Sequence, residues 1–321
     1  MFALDTMIWS ANYEGPQRVV MGNWSHAGMP QGSINAERKK IRGNEQHRWF
    51  DRWLKGIENG IDREPPIVYA LMIEPEEWRW ETALQWPPDG ITHRDLFLAA
   101  GPSGSVASVN DGRLTGTLSP SGVDSYEVDP TTTSGSSSRW DNAVGAAPAM
   151  TYDGLAENDR KCLTYTTAAL EKDLVVVGHP VVKLWVTSTS GDADLHLLLE
   201  EVDREGEVRY VTEGVLRASH RALREAPYDN LGLPYQRVFS GDATPLPADR
   251  PDEVVLDLHP TATVFNRGHR LRLVIMAADA DNTEANERAG ETTLGLFRGE
   301  QNPSCIRLPF LGQGLLPTKP R

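Results

Sequence analysis

Apolar and polar positions along the chain follow two different periods. Between Gly43 and Ile57, the residues Trp49, Phe50, Trp53, Leu54 and Ile57 recur at three- and four-residue steps. That is the stripe of an amphipathic helix, with Asn44 as its N-cap and Gly60 near its C-terminal stop. Ahead of it, Arg18 to Trp24 (RVVMGNW) is a short apolar run bounded by Gly15-Pro16 and a polar loop, the pattern of a buried strand in a parallel sheet. A short helix containing Met7, Ile8 and Trp9 is expected before Gly15.

From about Pro65 onward the period shortens to that of strands. Pro65-Pro66 breaks the chain, and Ile67 to Ile73 (IVYALMI) is rich in strand formers. Further strands are predicted at 95–98, 162–167, 174–177, 181–187, 195–202, 208–216, 253–258, 263–265, 271–276 and 304–308. In HRLRLVI, Leu271, Leu273 and Ile275 alternate with Arg270 and Arg272, which predicts a sheet with one wet face. Many short strands separated by turn residues predict a mainly β chain built as a two-sheet antiparallel sandwich. The stretch from Thr131 to Ala149 is low in large apolar residues and reads as a long surface loop or flap.

Composition narrows the function classes. With 321 residues the chain is long enough for about two domains and a real core. A net charge of −13 argues against nucleic acid, whose binders carry a basic stripe. No apolar run reaches the ~18 residues of a membrane span, and MFALDTMIWS lacks the basic start of a signal peptide, so a cytoplasmic setting is the expectation. Two cysteines, Cys162 and Cys305, exclude a disulfide scaffold and a multi-cysteine metal cluster. No cofactor and no metal are expected.

The segment most informative about chemistry is Gly22-Asn23-Trp24-Ser25-His26-Ala27-Gly28. A histidine directly after a buried parallel strand stands at the carboxyl edge of the sheet, where α/β folds collect reactive groups and where an α/β-hydrolase places the base of its triad. The alternative is a loop histidine bonded to backbone.

GNWSHAG resembles the signature around the catalytic histidine of the CocE/NonD hydrolases, a group that includes cocaine esterase, α-amino acid ester hydrolases, glutaryl acylases and X-Pro dipeptidyl-peptidases. WFDRWLKGIENGI (Trp49 to Ile61), TYTTAALEKDLVVVGHPVVKLWVTS (Thr164 to Ser188), DADL (Asp192 to Leu195), GVLRASHR (Gly214 to Arg221) and FNRGHRLRL (Phe265 to Leu273) resemble further motifs of that family. They follow in the family's order over roughly residues 18 to 280. The resemblance implies a remnant of an α/β-hydrolase domain over 1–62, followed by a jelly-roll β-sandwich of the X-Pro dipeptidyl-peptidase C-terminal type over 63–321. It implies acyl transfer from an ester or amide, with His26 as the triad base.

The departures from the pattern matter as much. Neither Gly-x-Ser-x-Gly nor Gly-x-Ser-x-x-Gly occurs anywhere in the chain. Gly101-Pro102-Ser103 and Gly135-Ser136-Ser137 begin correctly and lack the later glycine. Asp5 stands at roughly the distance expected for the triad acid, but without the Gly-Trp context, and reads as an ordinary helix aspartate. The expectation is therefore the C-terminal part of a longer serine hydrolase, inactive alone. It would arise from a start at an internal methionine or pair with a separately encoded N-terminal half. In the full-length enzyme the substrate would be a small ester, an amide or a short peptide. The competing reading is a non-enzymatic sandwich module that binds carbohydrate or protein.

Other residues weigh less. His179 and His269 follow glycines at strand ends and read as structural. Asp192, Asp194, Glu200, Glu201 and Asp203 lack the spacing of a calcium loop and read as a solvated sheet edge. Asp279 and Asp281 are placed toward the active-site side. Trp49, Trp53, Trp78, Trp80 and Trp86 read as core and interface packing, and the two cysteines as buried hydrophobes.

Overall fold

The computed structural model describes residues 3–24, 33–140, 150–284 and 291–312, with side chains of the second helix described from residue 40. Helix α1 (Ala3–Asn12) leads into strand β1 (Val19–Met21), and helix α2 (Ser33–Lys55) into a 3-10 turn at Ile61–Arg63. The predicted helix thus exists but begins ten residues before Gly43, because the charged segment NAERKKIRG has no apolar stripe to announce it. The predicted strand is shorter than expected, three residues in place of seven.

Strands dominate afterwards. They are β2 (Ile67–Glu74), β3 (Glu77–Ala83), β4 (Ile91–Ala99), β5 (Asn110–Thr115), β6 (Gly122–Glu127), β7 (Leu163–Thr166), β8 (Leu174–Gly178), β9 (Val181–Ser188) and β10 (Asp194–Val202). β11 (Val208–Arg217), β12 (Asp252–Asp257), β13 (Thr261–Phe265), β14 (Arg270–Met276), β15 (Thr293–Arg298) and β16 (Cys305–Leu311) complete the set, and a short helix α3 (Leu155–Asp159) precedes β7. Sequence periodicity missed β3, β5, β6 and β15. Apolar residues are sparse in β5 (NDGRLT) and β6 (GVDSYE), and neighbours across the sheet supply their burial.

Hydrogen bonding runs in one path, β1-β2-β13-β8-β16-β4-β5-β7-β14-β10-β11, while β9 branches from β16 to β12 and β15, and β15 to β6. Most pairs are antiparallel; β1–β2, β2–β13 and β5–β7 are parallel. The strands enclose one main core of aliphatic side chains, including Leu96, Leu184, Leu197, Leu273, Leu296 and Leu308. Strand β9 alternates strictly between buried and half-buried positions, as a strand with one core-facing side must.

Two family-like segments owe their glycines to crowding. A Cβ on Gly214 would lie 2.5 Å from the Asp257 carbonyl oxygen, so no larger residue fits where β11 crosses β12. Gly268 sits at φ +86°, turning the chain into β14.

The N-terminal segment is joined to this body. β1 pairs in parallel with β2, Val19 opposite Ile67 and Met21 opposite Tyr69. Met7, 1% exposed, enters a second core with Ile67, Tyr69, Leu71, Ala83, Trp86 and Val177. β1 thus has one neighbour, the backbone of β2. At the far end of α1, Asn12 Nδ2 donates to the Asp229 carbonyl (2.7 Å) and Asp229 N–H donates to Asn12 Oδ1 (2.9 Å).

The face of β14 expected to be wet is dry. Arg272 is 1% exposed, because the segment leading through 131–140 and 150–162 lies across β7, β14 and β10. Beneath it Tyr152, Leu155, Cys162, Leu198, Val274 and Met276 form a third core. Thr132, Ser134 and Ser138 of the same segment are buried, so its described part is a packed cover held by hydrogen bonds instead of a surface loop. Residues 141–149 of the expected flap lie outside the described residues.

Candidate functional site

The chemistry suggested by sequence centres on the carboxyl end of β1. Val20 and Trp24 point the chain toward a cavity of about 520 Å³, lined also by Arg18, Ile41, Arg42, Glu45, Gln46, Trp49 and Phe50. It lies between β1 and α2. His26 itself lies outside the described residues, with the rest of the 25–32 stretch.

What holds α2 beside β1 is a network of charges. Arg18 Nε donates to Glu45 Oε2 (2.6 Å), its Nη2 to Glu64 Oε2 (2.8 Å) and its Nη1 to the Pro65 carbonyl (2.6 Å). Arg48 reaches Glu45 Oε1 at 3.1 Å and pairs with Glu64. The Arg48 guanidinium beside Glu64 holds that carboxyl below its usual range. One turn on, Arg52 pairs with Asp62 (2.8 Å), and Asn59 Nδ2 donates to the Arg48 carbonyl (2.7 Å). All of these ligands come from α2 and from the connection that follows it, so the helix is clamped at the entrance to β2.

The apolar stripe of α2 has no such cover. Phe50, Trp53, Leu54 and Ile57 are 52%, 43%, 76% and 48% exposed, and Trp9 of α1 is 76% exposed. Core packing for Trp53 is thus corrected; the Trp49 and Trp53 rings meet at 5.7 Å, tilted by 50°, and Trp53 stays exposed. Trp86, by contrast, is buried against Tyr69 and His179. Soluble chains rarely leave several large apolar side chains exposed on one element without a partner surface.

No nucleophile approaches a described imidazole. Trp86 Nε1 donates to His179 Nε2 (3.1 Å), His269 Nδ1 contacts Glu201 Oε1 (2.7 Å), and His47 contacts Asp51 (3.1 Å). Burial lowers the His179 pKa to about 4, which keeps it neutral, as a structural histidine accepting one hydrogen bond. Ser103, in one incomplete glycine motif, bonds to Asp111 and Ser105. Asp5 is an exposed residue of α1.

The combination most like a triad is Ser134, Asp279 and buried His196, and its geometry excludes that role. Ser134 Oγ donates directly to Asp279 Oδ2 (2.6 Å), so its proton is committed to the carboxylate. Asp279 also accepts from Ser134 N–H (3.0 Å), Thr133 Oγ1 (3.2 Å) and Asn282 Nδ2 (2.8 Å). Asp281 accepts from Thr133 Oγ1 (2.7 Å). Both aspartates staple the cover to the end of β14.

The carboxylates at 192–203 divide. Asp192 caps Ala193 and Ser219 N–H groups at 2.8 Å, Asp194 pairs with Arg217 (2.6 Å), and Asp203 closes the β10–β11 turn. Glu200 and Glu201 are 0% and 1% exposed, which corrects the solvated-edge expectation. Every residue of β10 from Leu195 to Val202 is buried, so both faces of the strand are covered and neither glutamate reaches a solvated edge. Among the described residues, no three His, Cys, Asp or Glu side chains come together as a metal site. Both cysteines are buried, and burial raises both thiols.

The family model described as the X-Pro dipeptidyl-peptidase C-terminal non-catalytic domain matches residues 59–306. A putative serine esterase of Mycobacterium bovis is 36% identical over 91% of this chain and 45% of its own length. The cocaine esterase of a Rhodococcus strain is 26% identical over 92% of this chain and 51% of its own. Among solved structures, a CocE/NonD family hydrolase from Staphylococcus aureus superposes with a TM-score of 0.64 at 18% identity, over 92% of this chain and 49% of that one. An α-amino acid ester hydrolase superposes with a TM-score of 0.66 at 19% identity. The chain thus spans about half the length of the relatives it matches. On this match, the chain belongs to the family of the X-Pro dipeptidyl-peptidase C-terminal domain, the C-terminal portion of CocE/NonD-type hydrolases.

Proposed function

We propose that this chain is the C-terminal part of a serine hydrolase, divided into a hydrolase remnant at 1–62 and a sandwich domain at 63–321, and that it works only with a complementary N-terminal half. His26 is the general base. It takes the proton of a serine hydroxyl as that oxygen attacks an ester or amide carbonyl, then returns it to the leaving group. The serine and the aspartate that orients the imidazole come from the complementary half. The observation that carries this reading is the partial match: 91% of this chain aligns with only 45% of a putative serine esterase, while the chain retains GNWSHAG and no serine elbow.

The uncovered apolar stripe of α2 and the cavity between α2 and β1 support the same reading, since both lie where a larger domain would complete the fold. Losing members of a triad that act as a unit removes on the order of 10⁶ in rate. The isolated chain should therefore neither turn over p-nitrophenyl acetate nor react with a fluorophosphonate probe. Combined with an N-terminal hydrolase half bearing a Gly-x-Ser-x-x-Gly elbow, it should gain turnover that His26→Ala abolishes. Saturable, His26-dependent activity of the chain alone, with one labelled serine, would sink the proposal. Binding of an oligosaccharide or protein without any rescue would favour the binding-module reading instead.

A further inference from the structure

The sheet face beneath the cover formed by 131–140 and 150–162 carries two buried carboxyls with different partners. Glu213 accepts from Tyr152 Oη (2.6 Å) and Tyr210 Oη (3.3 Å) and faces Arg139 Nε at 3.2 Å. Burial pushes its carboxyl up, but Arg139 and the two tyrosine hydroxyls oppose that push. Glu200 has no such company. Its nearest cation is Arg272 Nη1 at 3.9 Å, and that guanidinium is committed elsewhere. It pairs with Asp159, and its other nitrogens donate to Thr166 Oγ1 (3.3 Å), Ser105 Oγ (3.2 Å) and the Ser105 carbonyl (3.3 Å).

If Asp159 and Glu200 were both ionised, one cation would face two anions at zero exposure, and three oxygens would lack a donor: Asp159 Oδ1 and both oxygens of Glu200. An unpaired charge in such a place is costly enough that the group neutralises instead. Both carboxyls converge on Arg272 Nη1, and each raises the other's cost of ionising. One proton between them supplies the missing donor and leaves a single ion pair with Arg272.

We propose that Glu200 keeps a proton at neutral pH and donates it to Asp159, and that this acid, with the Asp159–Arg272 pair, is a proton-dependent latch fastening α3 and its flanking cover to the sheet. Burial, then the neighbouring Asp159 charge, pushes the Glu200 carboxyl well above its usual range. The pair titrates as a unit. Glu200 is its proton carrier because Asp159 already accepts from Arg272.

Among the described residues, no other cation pairs with Glu200 to replace the proton. Arg272 approaches from β14, Asp159 from the C-terminal end of α3, and Cys162 from the turn that follows it. Tyr210 stands opposite Glu200 on β11, Thr166 lies on β7, and Ser105 lies in the β4–β5 connection. Burial keeps the Cys162 and Tyr210 protons in place.

The sign follows from linkage. The closed latch binds one proton more than the open one, whose Glu200 titrates near ~4.3 like a free glutamate. The latch is therefore strongest below that pH. It weakens as pH rises toward the closed-state pKa, and opening increases by up to ~10-fold per pH unit in between.

Hydrogen exchange of the full chain, corrected for the base-catalysed intrinsic rate, reads this directly. In the wild type, opening of 150–162 should climb toward tenfold per pH unit above about pH 5. In Glu200→Gln, whose amide donates the same hydrogen bond without titrating, it should be flat. An equal slope in Glu200→Gln overturns the proposal. Infrared spectra of chain carrying ¹³C-labelled glutamate give a second readout that needs no Glu200 variant to fold. A protonated carboxyl band at pH 7 that persists in Glu213→Gln supports the latch, and its absence from the wild type refutes it.

Discussion

Replacing Met7 by alanine tests whether the N-terminal segment is part of the β-sheet body. Met7 is the single buried residue of α1 and is 1% exposed. Its neighbours, Ile67, Tyr69 and Leu71, belong to β2, and Val177 to β8. Truncation removes three side-chain atoms, each worth about 0.8 kcal/mol in transfer. The cavity left among β-strand side chains that cannot collapse inward brings the expected loss to ~2–5 kcal/mol. Urea unfolding followed by tryptophan fluorescence measures the global term, and limited proteolysis between Asn12 and Val19 measures the local one. If α1 and β1 belong to the cooperative body, the urea midpoint falls by the full amount with the slope unchanged. If α1 undocks alone, its cleavage accelerates while the midpoint holds. A stability loss below about 0.5 kcal/mol with no faster cleavage would refute the packing argument altogether.

Three further outcomes follow from the geometry. Glu64 is held below its usual carboxyl range chiefly by its hydrogen bond to Arg48, so its contribution is present above the free-glutamate pKa and is lost as pH falls. The wild-type melting temperature should drop more steeply under acid than that of Glu64→Gln, and parallel curves would contradict the clamp. His179, with its pKa lowered to about 4 by burial, should show flat imidazole proton shifts in NMR spectra down to about pH 5. Because the unfolded chain takes up that proton first, stability should decline as pH falls from ~6.5 toward 4; a midpoint near 6.5 in the native spectrum would contradict the burial. Cys162 and Cys305, 0% and 3% exposed with the Cys305 pKa raised to about 11, should ignore Ellman's reagent at pH 8 and react fully in denaturant. Native labelling of either thiol would show that its strand opens.

Much of the architecture is legible in the residue pattern because local periods announce it. The helix stripe at Trp49 to Ile57 and the strand runs IVYALMI and VVKLWVTS each declare their type within a few residues. The glycines of GVLR and NRGHR mark backbone crowding and a left-handed turn found where those motifs stand. The family motifs, read in order, point to the hydrolase group that the 59–306 match shows. Strands such as NDGRLT stay hidden because their burial comes from neighbours distant in sequence.

The sequence by itself therefore determined the mainly β class, the family and the absence of a serine elbow, since each depends on residue types and short spacings. Only the tertiary structure decided which alternating residues meet water. Arg272 and Glu200 look like solvent-facing positions in a strand, but a segment more than a hundred residues upstream of Arg272 folds across them. Likewise, β1 reads as an orphan of a missing sheet until β2 pairs with it and Met7 closes the core behind. Burial is a property of what packs on a face, and a local period fixes the face without naming its cover.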